Sequence, residues 1–350
     1  MGDRSAMNCQ EVRAAVRDGG LFARDRSVLV MLSGGRDSTC LLDVAVALLG
    51  AASVCALHVN YGLRANADVD EQHCQALCRQ LGVEMQAMRA ASPPASSPEG
   101  EVEGERFPAP VAAGQQDARA AATEPVAGNM HAWARELRYG QARRIATQRD
   151  ALIATGHTAS DQVETILYRL AASPGRRALL GMPASDGRLI RPLLGLSREQ
   201  TAAYCRERGL QWREDQSNED QRYARARVRA GLVPALRAVH PAAEANVLRT
   251  AALLREETQV LDALVDDQLA GHASIAIARL RELPAALARM VVVRLAEDAT
   301  GAYVPQAGDR VHELLALAAR GGRAELHVGG QAGAVIERGQ LTMVKLPPRA

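Results

Sequence analysis

The sequence predicts an α/β protein, a parallel sheet covered by helices on both faces, followed by a helical linker and a smaller α+β domain. Short apolar runs rich in Val, Ile and Leu alternate with longer helical patterns in the first part of the chain. Nearly continuous apolar strands of this kind belong to sheets buried on both faces. The C-terminal part changes character: helical segments come first and short strand-like runs separated by glycines close the chain.

The elements can be placed in order. Strands are expected at Val28–Leu32, Val54–Val59, Val83–Met88, Ala151–Thr155 and Leu189–Leu193, with helices near 39–49, 68–81, 130–148, 160–171 and 197–208. The stretch 90–129 carries six prolines and four glycines without an apolar period, which marks a disordered or loosely ordered insert. It leaves the carboxyl end of a strand, where open α/β sheets keep their ligand crevice, so it either overhangs that crevice or is a spacer. From Arg222 to about Ala270 the pattern is helical and rich in arginine and alanine, giving a division into 1–220, a linker 221–270 and a second domain 271–350. In that domain "SIAIARLRELPAALARMVVVRLAED" and "GDRVHELLALAARG" read as helices, and "AELHV", "GAVIER" and "LTMVK" as strands.

Composition narrows the chemistry. At 47% hydrophobic and 23% charged residues the 350-residue chain has the balance of a globular protein, with length for about two domains. Of 42 basic residues only Lys345 is lysine, so no catalytic lysine exists in the first two thirds of the chain. The six cysteines form no CxxC pair and no metal-ligand spacing, which fits buried, reduced thiols in a cytoplasmic setting. No run approaches the ~20 apolar residues of a membrane span, and the first residues lack a secretory h-region.

The most informative stretch is "LSGGRDST" at 32–39, between a strand and a helix start. Gly34 and Gly35 let a ligand approach the backbone, Ser33 and Ser38 add hydroxyls, and the first helical amides form an anion nest aided by the helix dipole. Phosphate fits here without the lysine of GxxxxGK[ST]. Asp37 either caps the helix or holds Mg²⁺ against a bound polyphosphate that it would otherwise repel. Further on, in "GHTASDQVET", Asp161 and Glu164 lie three apart on one helix face, and His157 leaves the preceding strand toward the same crevice. Arg135 and Arg138 of "WARELRY" share the same spacing.

"SGGRDS" after a first strand matches the SGGxDS pattern of the PP-loop ATP pyrophosphatase superfamily. The chain resembles one family within it, the tRNA(Ile)-lysidine synthetases. The segments that carry the resemblance are "LHVNYGLRANADVDEQHC", "WARELRY", "ATGHTASDQVETILYRL", "LIRPLLGLSREQTAAYC" and "WREDQSNEDQRYARARVRAGLVPALR", with the terminal helical and strand segments. This implies a Rossmann-like parallel sheet of the PP-loop ATPase type. It also implies adenylation by ATP of the wobble cytidine in the CAU anticodon of an isoleucine tRNA, then displacement of AMP by free L-lysine. ATP-binding residues are expected at Ser33, Gly34, Gly35, Arg36, Asp37, Ser38 and His58, with Mg²⁺ on Asp37. Arg36 occupies the variable position of the pattern and does not replace the missing lysine.

The resemblance further implies Asp37, Arg138, His157, Asp161 and Glu164 as catalytic residues, and Arg222, Arg225, Arg227 and Arg229 as contacts to tRNA phosphates. The C-terminal domain is expected to recognise the tRNA, and a homodimer is compatible with the family. Departures are Tyr61 where the family has a second histidine, Ser160 in place of the first of two aspartates, Ala226 where asparagine is common, and an altered 172–181 loop. A tRNA thiolase, which adenylates a base in the same way, is the alternative. A non-catalytic tRNA binder and a small-molecule amidotransferase are less consistent with the intact loop and the arginine-rich helix.

Overall fold

The computed structural model describes residues 7–23, 25–62, 66–90, 130–172, 175–213 and 224–347, so most of the insert lies outside the described residues. Two compact units divide between Ala251 and Ala252.

In the first unit six strands, β1 (Val28–Met31), β2 (Val54–Asn60), β3 (Glu84–Arg89), β4 (Leu152–Ala154), β5 (Ser185–Asp186) and β6 (Leu189–Ile190), form one sheet in the order β3-β2-β1-β4-β6-β5. All neighbours are parallel except the β5–β6 pair. The α/β class expected from the apolar runs is therefore what forms. The fifth expected strand, Leu189–Leu193, stops at Ile190, since Pro192 cannot donate to a ladder and the chain turns there, with Leu194 N–H bonded to the Arg191 carbonyl. The two-residue antiparallel strand β5 was too short to leave a pattern.

The helices are α1 (Cys9–Asp18), α2 (Arg36–Leu49), α3 (Ala67–Leu81), α4 (Met130–Arg149), α5 (Ala159–Ala172), α6 (Arg176–Leu179), α7 (Arg198–Glu207), α8 (Ala224–Arg227), α9 (Val233–Val239) and α10 (Ala243–Leu269). A π-helical turn, Val228–Leu232, joins α8 to α9. Helix α1 was not expected; an Asn8–Glu11 capping box starts it, and Val12 and Val16 are buried. Strand alternation then builds two cores. Val28, Val30, Val54 and Ala154 face one side with residues of α1, α2, α3 and α7; Leu29, Met31, Leu57 and Ile153 face the other against Tyr139, Ala142 and Ile145 of α4.

The chain runs from β1 outward to β3 and returns to β4 on the other side of β1. The carboxyl ends of β1 and β4 therefore flank the topological switch point, where open α/β sheets open a ligand crevice. Both conspicuous motifs, "SGGRDS" and "GHTASDQVET", leave the sheet there.

The second unit has its own antiparallel sheet. Its elements are β7 (Ser274–Ala276), α11 (Ile277–Glu282), α12 (Ala285–Thr300), α13 (Gln306–Asp309), α14 (Val311–Ala319), β8 (Ala324–Gly329), β9 (Ala332–Glu337) and β10 (Gln340–Lys345), with sheet order β7-β10-β9-β8. The expected helices and three strands form. Ser274–Ala276, read as helix, is instead a strand paired with β10, with Ile275 opposite Leu341 and both side chains buried. Among the described residues no helix is long and apolar enough to cross a membrane.

Candidate active site

The loop after β1 is built from its residues' backbone preferences. Gly34 sits at φ +82°, and a Cβ there would come 3.1 Å from Cys74 Sγ, so the turn needs glycine. Gly35 is the extended N-cap of α2, and the helix begins at Arg36, three residues earlier than expected. The first helical bond is Thr39 N–H to the Gly35 carbonyl at 3.0 Å. The Arg36, Asp37 and Ser38 amides thus have no helical acceptor, and together with the dipole they present a cradle for an anion. Ser33 and Ser38 brace the loop: their hydroxyls are 3.0 Å apart, and Ser38 Oγ donates to the Gly35 carbonyl at 2.9 Å.

Two further contacts fix this loop. His58 is buried on β2, and its Nδ1 lies 2.9 Å from the Leu32 carbonyl, which steadies the chain entering the loop. Gly156, at the exit of β4, lies so close to the start of α2 that a Cβ would be 3.0 Å from the Asp37 carbonyl carbon and the Ser38 nitrogen. The glycine of "ATGHT" is therefore required by close approach of two backbones. The motif was legible in the sequence, but the reason for its glycine was not.

Asp37 Oδ1 accepts a hydrogen bond from Thr201 at 2.5 Å and from Arg36 Nε at 3.1 Å. Among the described residues its Oδ2 has Arg36 Nη2 at 3.5 Å and Arg198 Nε at 4.0 Å. Arg198, which no motif suggested, is the hub of the site: Nη2 donates to Asp161 Oδ1 and Nη1 to Glu164 Oε1, each at 2.6 Å. A sequence signal did exist. The Ser197–Gln200 capping box puts Arg198 at the first helical position of α7, where a cation opposes the helix dipole and needs carboxylate partners.

Asp161 and Glu164 share a face of α5, as their spacing predicted. Asp161 Oδ2 also accepts from the Thr158 amide and hydroxyl, both at 2.8 Å, so it caps the helix while joining the ion cluster. Against the cost of burial, Arg225 and Arg198 hold its carboxyl far below the usual range. Burial works against ionisation of Glu164 as well, but Arg229, Arg198 and Arg225 outweigh it and lower its pKa. His157 Nδ1 lies 2.8 Å from Thr155 Oγ1. Burial, with the arginines around it, pushes the imidazole down to about 3 against the pull of Asp161, so the ring is neutral at physiological pH.

The arginines of the following helix divide. Arg225 Nε and Arg229 Nε reach Glu164 at 3.0 and 2.8 Å, one turn apart on the inner face, and Arg225 Nη2 reaches Asp161 at 2.9 Å. Arg227, between them, is exposed, and Arg222 lies outside the described residues. On α4, the Arg138 and Arg135 guanidinium carbons stand 5.6 and 4.7 Å from the Tyr139 ring centre, and the buried Arg138 Nε has no partner among the described residues.

An amide cradle after β1, a carboxylate beside it and a cationic crevice at the switch point are the arrangement of a nucleotide-binding α/β protein whose anion site is built without a lysine. Residues 6–236 match the PP-loop domain model, and the chain belongs to that family. It is 37% identical over 247 residues to the tRNA(Ile)-lysidine synthase of Pseudomonas fluorescens (strain Pf0-1), a match covering 69% of this chain and 48% of that protein. It is 35% identical over 258 residues to the one from Chromobacterium violaceum, covering 71% and 51%. The chain thus spans about half the length of the curated relatives it matches. Among solved structures it resembles the U34-tRNA thiolase NcsA from Methanococcus maripaludis with its [4Fe-4S] cluster. The TM-score is 0.52 at 16% identity, covering 70% of this chain and 78% of that one, a likeness of fold alone.

Proposed function

We propose that the protein joins free L-lysine to C2 of the wobble cytidine in a CAU-anticodon isoleucine tRNA, with ATP converted to AMP and pyrophosphate. The observation that carries this reading is the long match to relatives named for that activity, together with an intact phosphate cradle at the switch point. In the first step the cytidine O2 attacks the α-phosphorus and the bond to pyrophosphate breaks. The Arg36, Asp37 and Ser38 amides face the charge that develops on the leaving group, the kind of fixed dipole that stabilises a transition state most effectively. In the second step the lysine ε-amine attacks C2, the C2–O bond breaks, AMP leaves and the amine loses a proton.

Magnesium fits the donor set on one oxygen. Among the described residues the nearest donor to Asp37 Oδ2 is Arg36 Nη2 at 3.5 Å, and one carboxylate oxygen with phosphate oxygens and water is an ordinary Mg²⁺ environment. When bound, the ion would neutralise charge on pyrophosphate. Asp161 and Glu164 supply the negative charge that suits an amino-acid ammonium group, and both are now covered by Arg198, Arg225 and Arg229. Lysine therefore has to take the place of an arginine on these oxygens, which makes α8 the element that moves. Arg222 and Arg227 remain the proposed contacts to tRNA phosphates, and residues 271–350 the proposed recognition domain.

The test is to incubate the protein with ATP, Mg²⁺, labelled lysine and the CAU-anticodon tRNA, then digest the RNA. Label on the wobble cytidine is expected. Sulfur transfer without lysine incorporation would replace this reading with that of a thiolase.

A further inference from the structure

Arg191 has no role in the site as described, yet it is buried to 7% exposure. Its backbone follows β6 directly, and β6 pairs with β4: Thr155 N–H bonds the Ile190 carbonyl at 3.1 Å. Arg191 thus stands at the carboxyl edge of the sheet, beside the exit that carries His157. Strand alternation sets its direction. Ile190 packs into the core on the α2 side and Leu189 against the core on the α4 side, so Arg191 turns toward α4.

There it meets other cations. Nη1 donates to the Pro183 carbonyl at 2.6 Å, while the buried Nε has no partner among the described residues, and no described carboxylate forms an ion pair with the guanidinium. Tyr139, which interacts electrostatically with Arg191, is buried with Arg135 and Arg138 over its ring, and Arg138 Nε is likewise buried and without a partner among the described residues. Burial lowers the Arg191 pKa, Arg135 lowers it further, and Tyr139 and Asp186 only partly offset this. Two guanidinium groups over one ring and a third, Arg191, near enough to interact electrostatically with Tyr139 and Arg135, two of the three with an orphaned buried donor, are an arrangement that an anion completes.

The position selects the anion. Arg191 lies two strand spacings from the phosphate loop, about 10 Å. A phosphate held there is not one of those in the amide cradle. We propose that Arg191, with Arg135 and Arg138, binds a backbone phosphodiester flanking the base that enters the crevice, and so fixes the substrate strand beside the nucleotide. This rests on the tRNA-modification reading above. Arg191 is a binding residue in this account, and its forked donors suit phosphate geometry better than an ammonium would.

The experiment measures binding of an anticodon stem-loop by fluorescence anisotropy at several salt concentrations, and ATP binding separately, for wild type, Arg191→Met, Arg191→Lys and Arg135→Ala. Arg191→Met is expected to weaken RNA binding about tenfold and lower the salt slope by about one, with ATP affinity unchanged. Neutral methylphosphonate in place of the phosphodiester on either side of the cytidine should cost the wild type a similar factor at one of the two positions and cost the variant nothing more. Should the methionine variant fail to fold, Arg191→Lys and the exposed Arg135→Ala carry the same comparison with smaller losses. Full additivity of variant and methylphosphonate effects, or loss of ATP rather than RNA affinity, would overturn the proposal. Wild type that binds the RNA but incorporates no lysine defeats the lysidine reading and leaves this one standing; wild type with no RNA affinity defeats both.

Discussion

The phosphate loop and the acid–arginine cluster leave neighbouring strand ends and treat charge in opposite ways. The loop offers only backbone dipoles and two hydroxyls, and its first helical amides have no helical acceptor. The cluster consists of full charges, and each is engaged: Glu164 alone meets Arg198, Arg225 and Arg229. Open dipoles bind an incoming anion without leaving a buried charge exposed when it departs. Paired charges do not, so the cluster contributes rigidity until something replaces one partner. The two regions therefore divide the work, and Asp37 and Arg198 form the junction between them.

The cluster is most sensitive at Glu164. Glu164→Gln removes one charge from a buried network and leaves three guanidinium groups short of a partner, which is expected to lower stability by about 3–5 kcal/mol, read from thermal or denaturant unfolding. A loss below about 1 kcal/mol would mean that the cluster does not hold the fold. Next comes Gly156→Ala. Its Cβ would press on the Asp37–Ser38 backbone at 3.0 Å, so a cost of about 1–3 kcal/mol and a weaker affinity for ATP are expected, the second because the cradle itself must shift.

His157 tests the electrostatic side with a smaller effect. Its folded pKa, about 3, lies below its ordinary value of 6.5, so the unfolded chain binds more protons between these limits. Stability from this group is complete above pH 6.5 and is lost as pH falls toward 3. His157→Gln should flatten the stability profile in that window, as followed by unfolding at a series of pH values; an unchanged slope would place the ring in solvent. The smallest effect is expected from deletion of 92–127. AMP formation should persist essentially unchanged if the segment is a spacer, and a large loss would assign it to the crevice.

The alternation of apolar runs made the parallel sheet legible, because strands buried on both faces leave the strongest pattern a sequence has. The loop was legible for a related reason: glycines and serines at fixed offsets after a strand have few other uses. That Asp161 and Glu164 share a helix face followed from their spacing, while their place in the site came from the family resemblance. Arg198, Thr201 and the reason for Gly156 were not found, because their importance comes from partners elsewhere in the chain, 37 and 34 residues from Arg198, 164 from Thr201 and, at Asp37, 119 from Gly156, and no local pattern encodes those meetings. Arg225 and Arg229 were read as part of an arginine run contacting RNA, and only the packing of α8 and the following π turn against α5 shows that they turn inward while Arg227 does not. Two-residue strands such as β5 lie below the length at which any period can be seen.

In the function proposed above, the loop with Asp37 performs the ATP chemistry while the rest of the crevice binds and positions. Asp37→Asn tests it directly, since the amide keeps the size and hydrogen-bonding capacity of the side chain and loses its charge. Release of AMP and pyrophosphate in the presence of the CAU-anticodon tRNA is expected to fall at least about 10²-fold, while anticodon RNA binding stays near normal. AMP release at the wild-type rate, or a collapse of RNA binding alongside its loss, would contradict it.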